Sequence, residues 1–230
     1  MRRSSIALVV VLLAGCAPKY ADDAMVQTVH RLRPSVVLLT MTLPPERRGG
    51  APDDGFATAF VIASGAWGSD LLTAQHAIDG AWNFHAIVGN RAKAAVRVIA
   101  ANAELDIALL RTPRANMPVV PLGSSAHLDE QVGREVVLLG YPVPDDFQDS
   151  NLTLATSLAE GHLSSVRNDQ LELMLPVVPG ESGAPVFLVD TGEIIGVANS
   201  RFDDERSIGF ALPIDAAKRF LHKVDRIHGF

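Results

Sequence analysis

Three short segments carry side chains that together could activate a hydroxyl group. They are Leu72–Ala77 with His76, Leu105–Leu110 with Asp106, and Gly180–Pro185 with Ser182. A serine hydroxyl is a weak nucleophile unless a base takes its proton and a third group orients that base. Because a serine, a histidine and an aspartate can supply these three functions, the sequence predicts a catalytic site for nucleophilic attack on a carbonyl.

Each of these residues also has a plainer interpretation. His76 could be a structural histidine at a strand end, Asp106 a turn aspartate, and Ser182 part of an ordinary glycine–serine turn. Imidazole, however, is the side chain best matched to proton transfer near neutral pH. An aspartate set in an apolar segment also needs a partner if its charge is buried. The three segments together therefore favour the catalytic interpretation.

Two glycines flank the candidate nucleophile, Gly180 before it and Gly183 after it. Glycine adopts backbone angles that other residues resist, which lets the N–H groups of Gly180 and Ser182 turn toward one point. Such a pair would stabilise the oxyanion formed when a carbonyl is attacked. The segment therefore predicts an oxyanion hole made by Gly180 and Ser182.

The composition limits the classes of partner. The chain has 230 residues, 48% of them hydrophobic, and a formal net charge of −6. This charge argues against nucleic acid or an anionic lipid surface as the main partner. The acidic segments 145–149 and 203–205 lack the spacing of a calcium loop and are interpreted as solvated loops. We therefore expect no metal site, and the predicted chemistry needs no cofactor.

The N-terminus has the pattern of a targeting segment. Arg2 and Arg3 precede a short apolar stretch, Ile6–Ala14, which is too short for an ordinary membrane span. The following Leu13–Cys16 resembles a bacterial lipobox, which predicts a signal peptide over 1–15 and lipidation of Cys16. The resemblance also implies outer-membrane sorting in a Gram-negative host, because Ala17 stands where aspartate signals inner-membrane retention. An ordinary secretory signal is the alternative.

Short apolar segments separated by turn residues predict an all-β protein. Residues 16–34 are expected to form a tether or short helix, and Pro113–His127 a connection between two similar halves. A change to helical period predicts a closing helix over 214–230. The predicted strands are Ser35–Leu43, Thr58–Ser64, Leu71–Ala77, His85–Val88, Ala95–Ala101, Ile107–Arg111, Glu135–Tyr141, Asn151–Ala159, Gly161–Val166, Gln170–Leu175, Ala184–Val189, Ile194–Ala198 and Ser207–Ala211.

The order His, Asp, Ser and the segments around these residues resemble the trypsin-like serine proteases, most of all the bacterial high-temperature-requirement (Do-like) group. The resemblance covers about residues 35–220 and extends to Gly192–Asn199 and Ile208–Pro213. It implies two six-stranded antiparallel β-barrels, about 35–112 and 128–213, with the site in the cleft between them. It also implies that His76 is the general base, Asp106 its orienting group and Ser182 the nucleophile.

The chain departs from the family pattern at three points. Glu181 replaces the usual asparagine or aspartate, and is expected to place a negative charge beside the oxyanion hole that slows catalysis or disfavours acidic substrates. Ala184 replaces glycine, a small change. The sequence also ends shortly after the second predicted barrel, so no PDZ domain is expected.

The resemblance suggests where the residue before the scissile bond would bind. Pro176 occupies the position at which family members that cleave after Arg or Lys carry an aspartate, and Ala198, Asn199 and Ser200 include no histidine of the kind found in Glu-specific members. We therefore expect the substrate to have a small or aliphatic residue before the scissile bond.

We predict a serine endopeptidase for extended polypeptides, tethered through Cys16 and facing the periplasm. One alternative is a catalytically weak peptide-binding or chaperone-like lipoprotein on the same fold, and another is an esterase. The sequence predicts no oligomeric state.

Overall fold

The described residues form two antiparallel β structures accompanied by three α-helices. The computed structural model describes residues 23–45, 53–88, 92–142, 156–167, 169–199 and 207–228. The signal peptide, Cys16, Ser200 and both acidic segments of the sequence analysis lie outside the described residues.

The first half is a seven-stranded sheet with the order β5-β4-β1-β2-β3-β7-β6. Its strands are β1 Val36–Leu43, β2 Asp53–Gly65, β3 Gly68–Thr73, β4 Trp82–Val88, β5 Ala92–Ala95, β6 Arg97–Asn102 and β7 Ile107–Thr112. β2 begins at Asp53, before the predicted strand start at Thr58, because Asp53 to Gly55 pair with the end of β1.

Strands β5 and β6 occupy opposite edges of this sheet although only Val96 separates them along the chain. Val96 itself donates its N–H to the carbonyl of Phe84. One continuous piece of chain therefore joins both edges, so the sheet curls as a barrel does. The sequence predicted one strand, Ala95–Ala101, in this region. Because the chain is divided at Val96, the sheet has seven strands where six were expected.

The second half is a closed barrel with the order β10-β13-β12-β11-β8-β9. Its strands are β8 Glu135–Gly140, β9 Ser157–Arg167, β10 Gln170–Leu173, β11 Pro185–Leu188, β12 Ile194–Ala198 and β13 Gly209–Pro213. β9 runs through Gly161, where the sequence predicted a break between two strands. A Cβ on Gly161 would lie within 2.8 Å of the Met174 carbonyl carbon, so glycine permits a close approach there.

Three α-helices complete the described part of the fold: α1 Ala24–Leu32, α2 Gln75–Ile78 and α3 Ile214–His228. Asp23 caps α1, accepting the Val26 N–H at 3.0 Å. Thr28 of α1 donates to the Val189 carbonyl and so ties the helix to the second barrel. Along the stretches that the structure describes, no helix has both the length and the apolar character needed to cross a bilayer.

One core cluster is shared by both halves and by the helices α1 and α3. It includes Phe60 and Leu72 of the first sheet, Phe187 and Val197 of the second barrel, and Phe220 of α3, all buried. Each half also has an interior cluster of its own. The predicted all-β fold with a C-terminal helix is confirmed, and the shared core holds the two halves in a fixed relation across the cleft.

Candidate active site

The pairing of β3 with β7 brings two of the predicted residues together. Thr73, the last residue of β3, is paired with Ala108 near the start of β7. Residues just beyond these two strand ends therefore meet at the same edge of the sheet. His76 lies on α2 directly after β3, where the sequence predicted a continuing strand, and Asp106 lies in the turn before β7.

Asp106 has an unusual backbone conformation, with φ at +54°. Only a small minority of non-glycine residues adopt this left-handed region, and aspartate and asparagine are among those that tolerate it best. The preceding turn is fixed by Asn102, whose side-chain oxygen accepts the Leu105 N–H at 2.9 Å. This conformation turns the Asp106 side chain inward, where it is 2% exposed.

Ser182 comes from the second barrel, in the loop that leads into β11. The next residue, Gly183, donates its N–H to the Ala198 carbonyl at 2.8 Å. Gly183 has φ at +86°, and a Cβ there would collide with Thr73 and with the Thr58 carbonyl of the first sheet. A glycine is therefore required at this position, both for its backbone angle and for the close contact between the halves.

The three side chains form one hydrogen-bonded line across the cleft. His76 Nδ1 lies 2.8 Å from Asp106 Oδ2, and His76 Nε2 lies 3.0 Å from Ser182 Oγ. The backbone N–H of His76 also donates to Asp106 Oδ1 at 2.8 Å. Both carboxylate oxygens thus face the histidine. Because an ionised carboxylate only accepts, Nδ1 carries the ring proton and Nε2 is left to accept from the serine hydroxyl.

A threonine that the sequence analysis missed holds the loop before the serine. Thr58 of β2 donates its hydroxyl to the Gly180 carbonyl at 2.8 Å, and its N–H to the Ser182 carbonyl at 3.0 Å. Glu181 donates its own N–H to the Val178 carbonyl at 3.0 Å. The Gly180–Glu181 peptide is therefore held at both of its polar groups, and Gly180 has φ at +92°.

The Glu181 side chain does not extend into the cleft. It is 3% exposed, and its Oε2 accepts the Val178 N–H at 3.0 Å. A Cβ on Gly140 would lie 2.9 Å from the Glu181 Cγ, so the absence of a side chain at Gly140 makes room for it. Burial raises the pKa of the Glu181 carboxyl, and the hydrogen bond from Val178 opposes this only in part.

Only two of the residues predicted to border the substrate residue before the scissile bond are described beside the serine loop. Pro176 is exposed in the loop after β10. Ala198 is buried at the end of β12, and its backbone bonds to Gly183 and Ala184 beside the serine. Asn199 follows, is buried, and its N–H donates to the Phe210 carbonyl. Ala198 and Asn199 thus border the serine loop, whereas Pro176 has no described contact that ties it to the site.

Potential metal ligands do not gather at any place within the described ranges. No group of three or more His, Cys, Asp or Glu side chains there has the arrangement needed to hold an ion.

A family model described as trypsin-like peptidase domain matches residues 57–197. The chain belongs to the trypsin-like peptidase family. The matched range of this trypsin-like chain contains all three residues of the hydrogen-bonded line.

Curated relatives agree with this family. A putative serine protease HhoA from Synechocystis is 32% identical over 180 residues, covering 76% of this chain and 43% of the relative. A probable periplasmic serine endoprotease described as DegP-like, from Hahella chejuensis, is 25% identical over 181 residues, covering 76% and 36%. The trypsin-like chain therefore spans less than half the length of these relatives.

A solved protease structure has a similar fold. An HtrA-type protease AlgW variant, determined with a decapeptide, superposes with a TM-score of 0.72 at 21% identity, covering 90% of this chain and 68% of the other.

Proposed function

We propose that the protein is a serine endopeptidase that hydrolyses peptide bonds of extended polypeptides through an acyl-enzyme. The observation that carries the proposal is the hydrogen-bonded line in which His76 Nε2 lies 3.0 Å from Ser182 Oγ and Nδ1 lies 2.8 Å from the buried Asp106 carboxylate. Hydrogen-bond reach between nucleophile, base and orienting group is what this chemistry requires.

In the acylation step, Ser182 Oγ attacks the substrate carbonyl while its proton passes to His76 Nε2. The carbonyl oxygen becomes an oxyanion, which the N–H groups of Gly180 and Ser182 stabilise. His76 then gives its proton to the leaving amine, the C–N bond breaks, and the acyl group remains as an ester on Ser182. Asp106 stabilises the imidazolium throughout and keeps the proton on Nδ1.

Deacylation repeats these steps with water. His76 Nε2 takes a proton from the attacking water, and the same two N–H groups stabilise the second oxyanion. Collapse of this intermediate returns the proton to Ser182 and releases the carboxylic acid product. No cofactor takes part.

We also propose a place for the substrate. The peptide would lie in an extended conformation along the strands of the second barrel, with hydrogen bonds to backbone groups that the strand pairing leaves unbonded supplying affinity. Pro176, Ala198, Asn199 and Ser200 would border the residue before the scissile bond, and this residue would be small or aliphatic.

The proposal extends to the cellular location. The relatives named as periplasmic endoproteases support a location in the bacterial cell envelope. The lipobox-like Leu13–Cys16 supports an anchor on Cys16 that keeps the domain facing the periplasm, with the outer membrane favoured by Ala17. Metabolic labelling with a clickable fatty acid tests the anchor, because the label should be lost in a Cys16→Ser variant.

A fluorophosphonate probe tests the catalytic proposal directly. We expect the wild type to be labelled on Ser182 and to cleave unfolded casein, and a Ser182→Ala variant to do neither. Ser207→Ala is the matched control, because Ser207 is exposed in a turn and should be dispensable. A folded wild type that neither labels nor cleaves would contradict the hydrolase and favour a peptide-binding protein.

A further inference from the structure

The C-terminal helix α3 has a buried apolar face and an exposed basic one. The apolar face belongs to the core cluster shared by both halves, and its members include Ala216, Ala217, Phe220 and Val224. On the solvent side, Arg219, Lys223 and Arg226 follow one another at intervals of four and three residues. Residues at these intervals are neighbours on a helix surface, so the three exposed side chains form one basic strip.

The described carboxylates do not neutralise the basic strip. None of its three side chains forms an ion pair or hydrogen bond with another described residue. Asp215 of the same helix is bonded to Ser124 and paired with Lys218 instead. Asp225 lies about 100° or more around the helix from each member of the strip. The net charge of −6 is therefore unevenly distributed, and this part of the surface is positive.

An exposed apolar side chain lies next to the basic strip. Ile227 is 67% exposed, directly follows Arg226 and comes four residues after Lys223. Basic side chains bind the anionic headgroups of a phospholipid surface, and an aliphatic side chain beside them can enter its interfacial layer. The combination therefore fits an anionic bilayer better than water.

The position of α3 also suits the proposed lipid anchor. Cys16 lies seven residues before Asp23, the residue that caps α1, and such a segment spans at most about 25 Å. α1 contributes Val29 and Leu32 to the same core cluster as α3. A bilayer that holds Cys16 is thus confined to the neighbourhood of the two terminal helices.

We propose that the basic strip of α3 rests on the anionic phospholipid surface of the membrane in which Cys16 is anchored. This inference takes the anchor from the proposed function and adds a second contact, which fixes the orientation of the domain. Because the anchor makes the contact intramolecular, even a weak attraction is sufficient to maintain it.

Fluorescence quenching tests this contact in the anchored full-length chain. A fluorescent unnatural amino acid replaces Ile227, and the vesicles contain lipids with a quencher on the headgroup. We expect strong quenching on vesicles of phosphatidylethanolamine and phosphatidylglycerol, and little on vesicles of phosphatidylcholine. Quenching should decline as salt is raised to about 1 M. The same fluorophore at Val98, which is exposed on β6, is the matched control and should show little quenching on either.

Charge removal assigns the contact to the basic strip. The test variant carries Arg219→Gln, Lys223→Gln and Arg226→Gln. The control variant loses the same charge at exposed sites outside α3, through Lys93→Gln, Arg97→Gln and Arg114→Gln. Each basic group near an anionic surface contributes about fivefold in affinity, so the test variant should bind the surface at least about tenfold more weakly. The control variant should keep the quenching, and both should still react with the fluorophosphonate probe.

Equal quenching on the two kinds of vesicle would overturn the inference, as would quenching that survives in the test variant. Preferential binding of soluble polyglutamate by the strip would also overturn it and would indicate an acidic protein as the partner. Failure of the anchor has a different signature. In that case the chain would not sediment with phosphatidylcholine vesicles, whereas salt-sensitive quenching on phosphatidylglycerol vesicles would persist.

Discussion

Thr58 Oγ1 donates a 2.8 Å hydrogen bond to the carbonyl oxygen of Gly180, and by this bond the first sheet holds the loop that precedes the nucleophile. The same hydroxyl oxygen accepts the Tyr141 N–H at 2.9 Å. One threonine thus connects three segments that meet at the cleft. Its side chain contacts neither His76 nor Asp106 among the bonds described above, so its role is to position the loop.

Replacing Thr58 with valine should lower kcat and leave KM nearly unchanged. The change keeps the shape of the side chain but leaves the Gly180 carbonyl and the Tyr141 N–H without their partner, which costs about 1–3 kcal/mol of folding stability for each buried group. Loss of a whole oxyanion donor lowers kcat by about 100-fold or more, and the fall for Thr58→Val should be smaller than this. Peptide kinetics and urea unfolding measure the two effects. Thr58→Ser retains the hydroxyl and should restore kcat, and equal kcat values for the valine and serine variants would contradict this role.

Substituting Asp106 with asparagine should reduce kcat by about 10⁴-fold, because the amide favours the wrong tautomer of His76 and no longer stabilises the imidazolium. Asparagine tolerates the left-handed backbone that Asp106 adopts at φ +54°, so the fold should persist. Steady-state kinetics give the loss of rate, and circular dichroism checks the fold. A folded variant that keeps most of its activity would show that Asp106 does not orient the base.

The buried Glu181 carboxyl predicts a pH dependence of stability. Because burial raises its pKa in the folded state, the folded protein binds this proton more tightly than the unfolded chain does. The contribution of Glu181 therefore favours folding at acid pH, and it declines as pH rises from the unfolded pKa through the folded one. Glu181→Gln can still accept the Val178 N–H but carries no charge.

We expect the glutamine variant to unfold at higher urea concentration than the wild type at pH 8, and this difference to narrow toward pH 4. Urea unfolding at a series of pH values measures it. A difference in the free energy of unfolding that stays constant with pH would show that Glu181 titrates alike in both states.

Alanine substitutions at two glycines with similar backbone angles distinguish the cost of backbone strain from the cost of a steric collision. Gly133 has φ at +93° and open space where a Cβ would stand, whereas Gly183 has φ at +86° and faces Thr73 and Thr58 closely. Gly133→Ala should cost about 1–2 kcal/mol for the left-handed backbone alone. Gly183→Ala should cost at least about 2 kcal/mol more, since overpacking adds to the strain. Denaturant unfolding of both variants gives the comparison, and equal losses would mean that the contact at Gly183 relaxes freely.

The sequence predicted that His76, Asp106 and Ser182 act together because each lies in a short local pattern, and the structure places the three within hydrogen-bond distance of one another. Thr58 has no such pattern. Its importance arises from pairing between segments that lie 122 residues apart along the chain, and a threonine in a strand is common. The inward position of Glu181 could not be predicted either, since it depends on the missing side chain of Gly140 at the end of the neighbouring strand β8.

Non-local contacts also explain why the sequence misplaced two strand boundaries. Gly161 suggested a break in the sequence but allows a close approach within β9 instead. Val96 interrupts one predicted strand because the chain passes there from one edge of the curled sheet to the other. Composition carries no information about either contact.

The core cluster common to both halves constrains how turnover can be controlled. Twenty buried apolar side chains of the described residues belong to it, and the hydrogen bond between His76 and Ser182 joins the same two halves. An effector that opened the two lobes like a hinge would have to hydrate much of this surface, at a free-energy cost comparable to unfolding. Activity should therefore be adjusted by loops at the mouth of the cleft, and heat inactivation should coincide with loss of the whole fold.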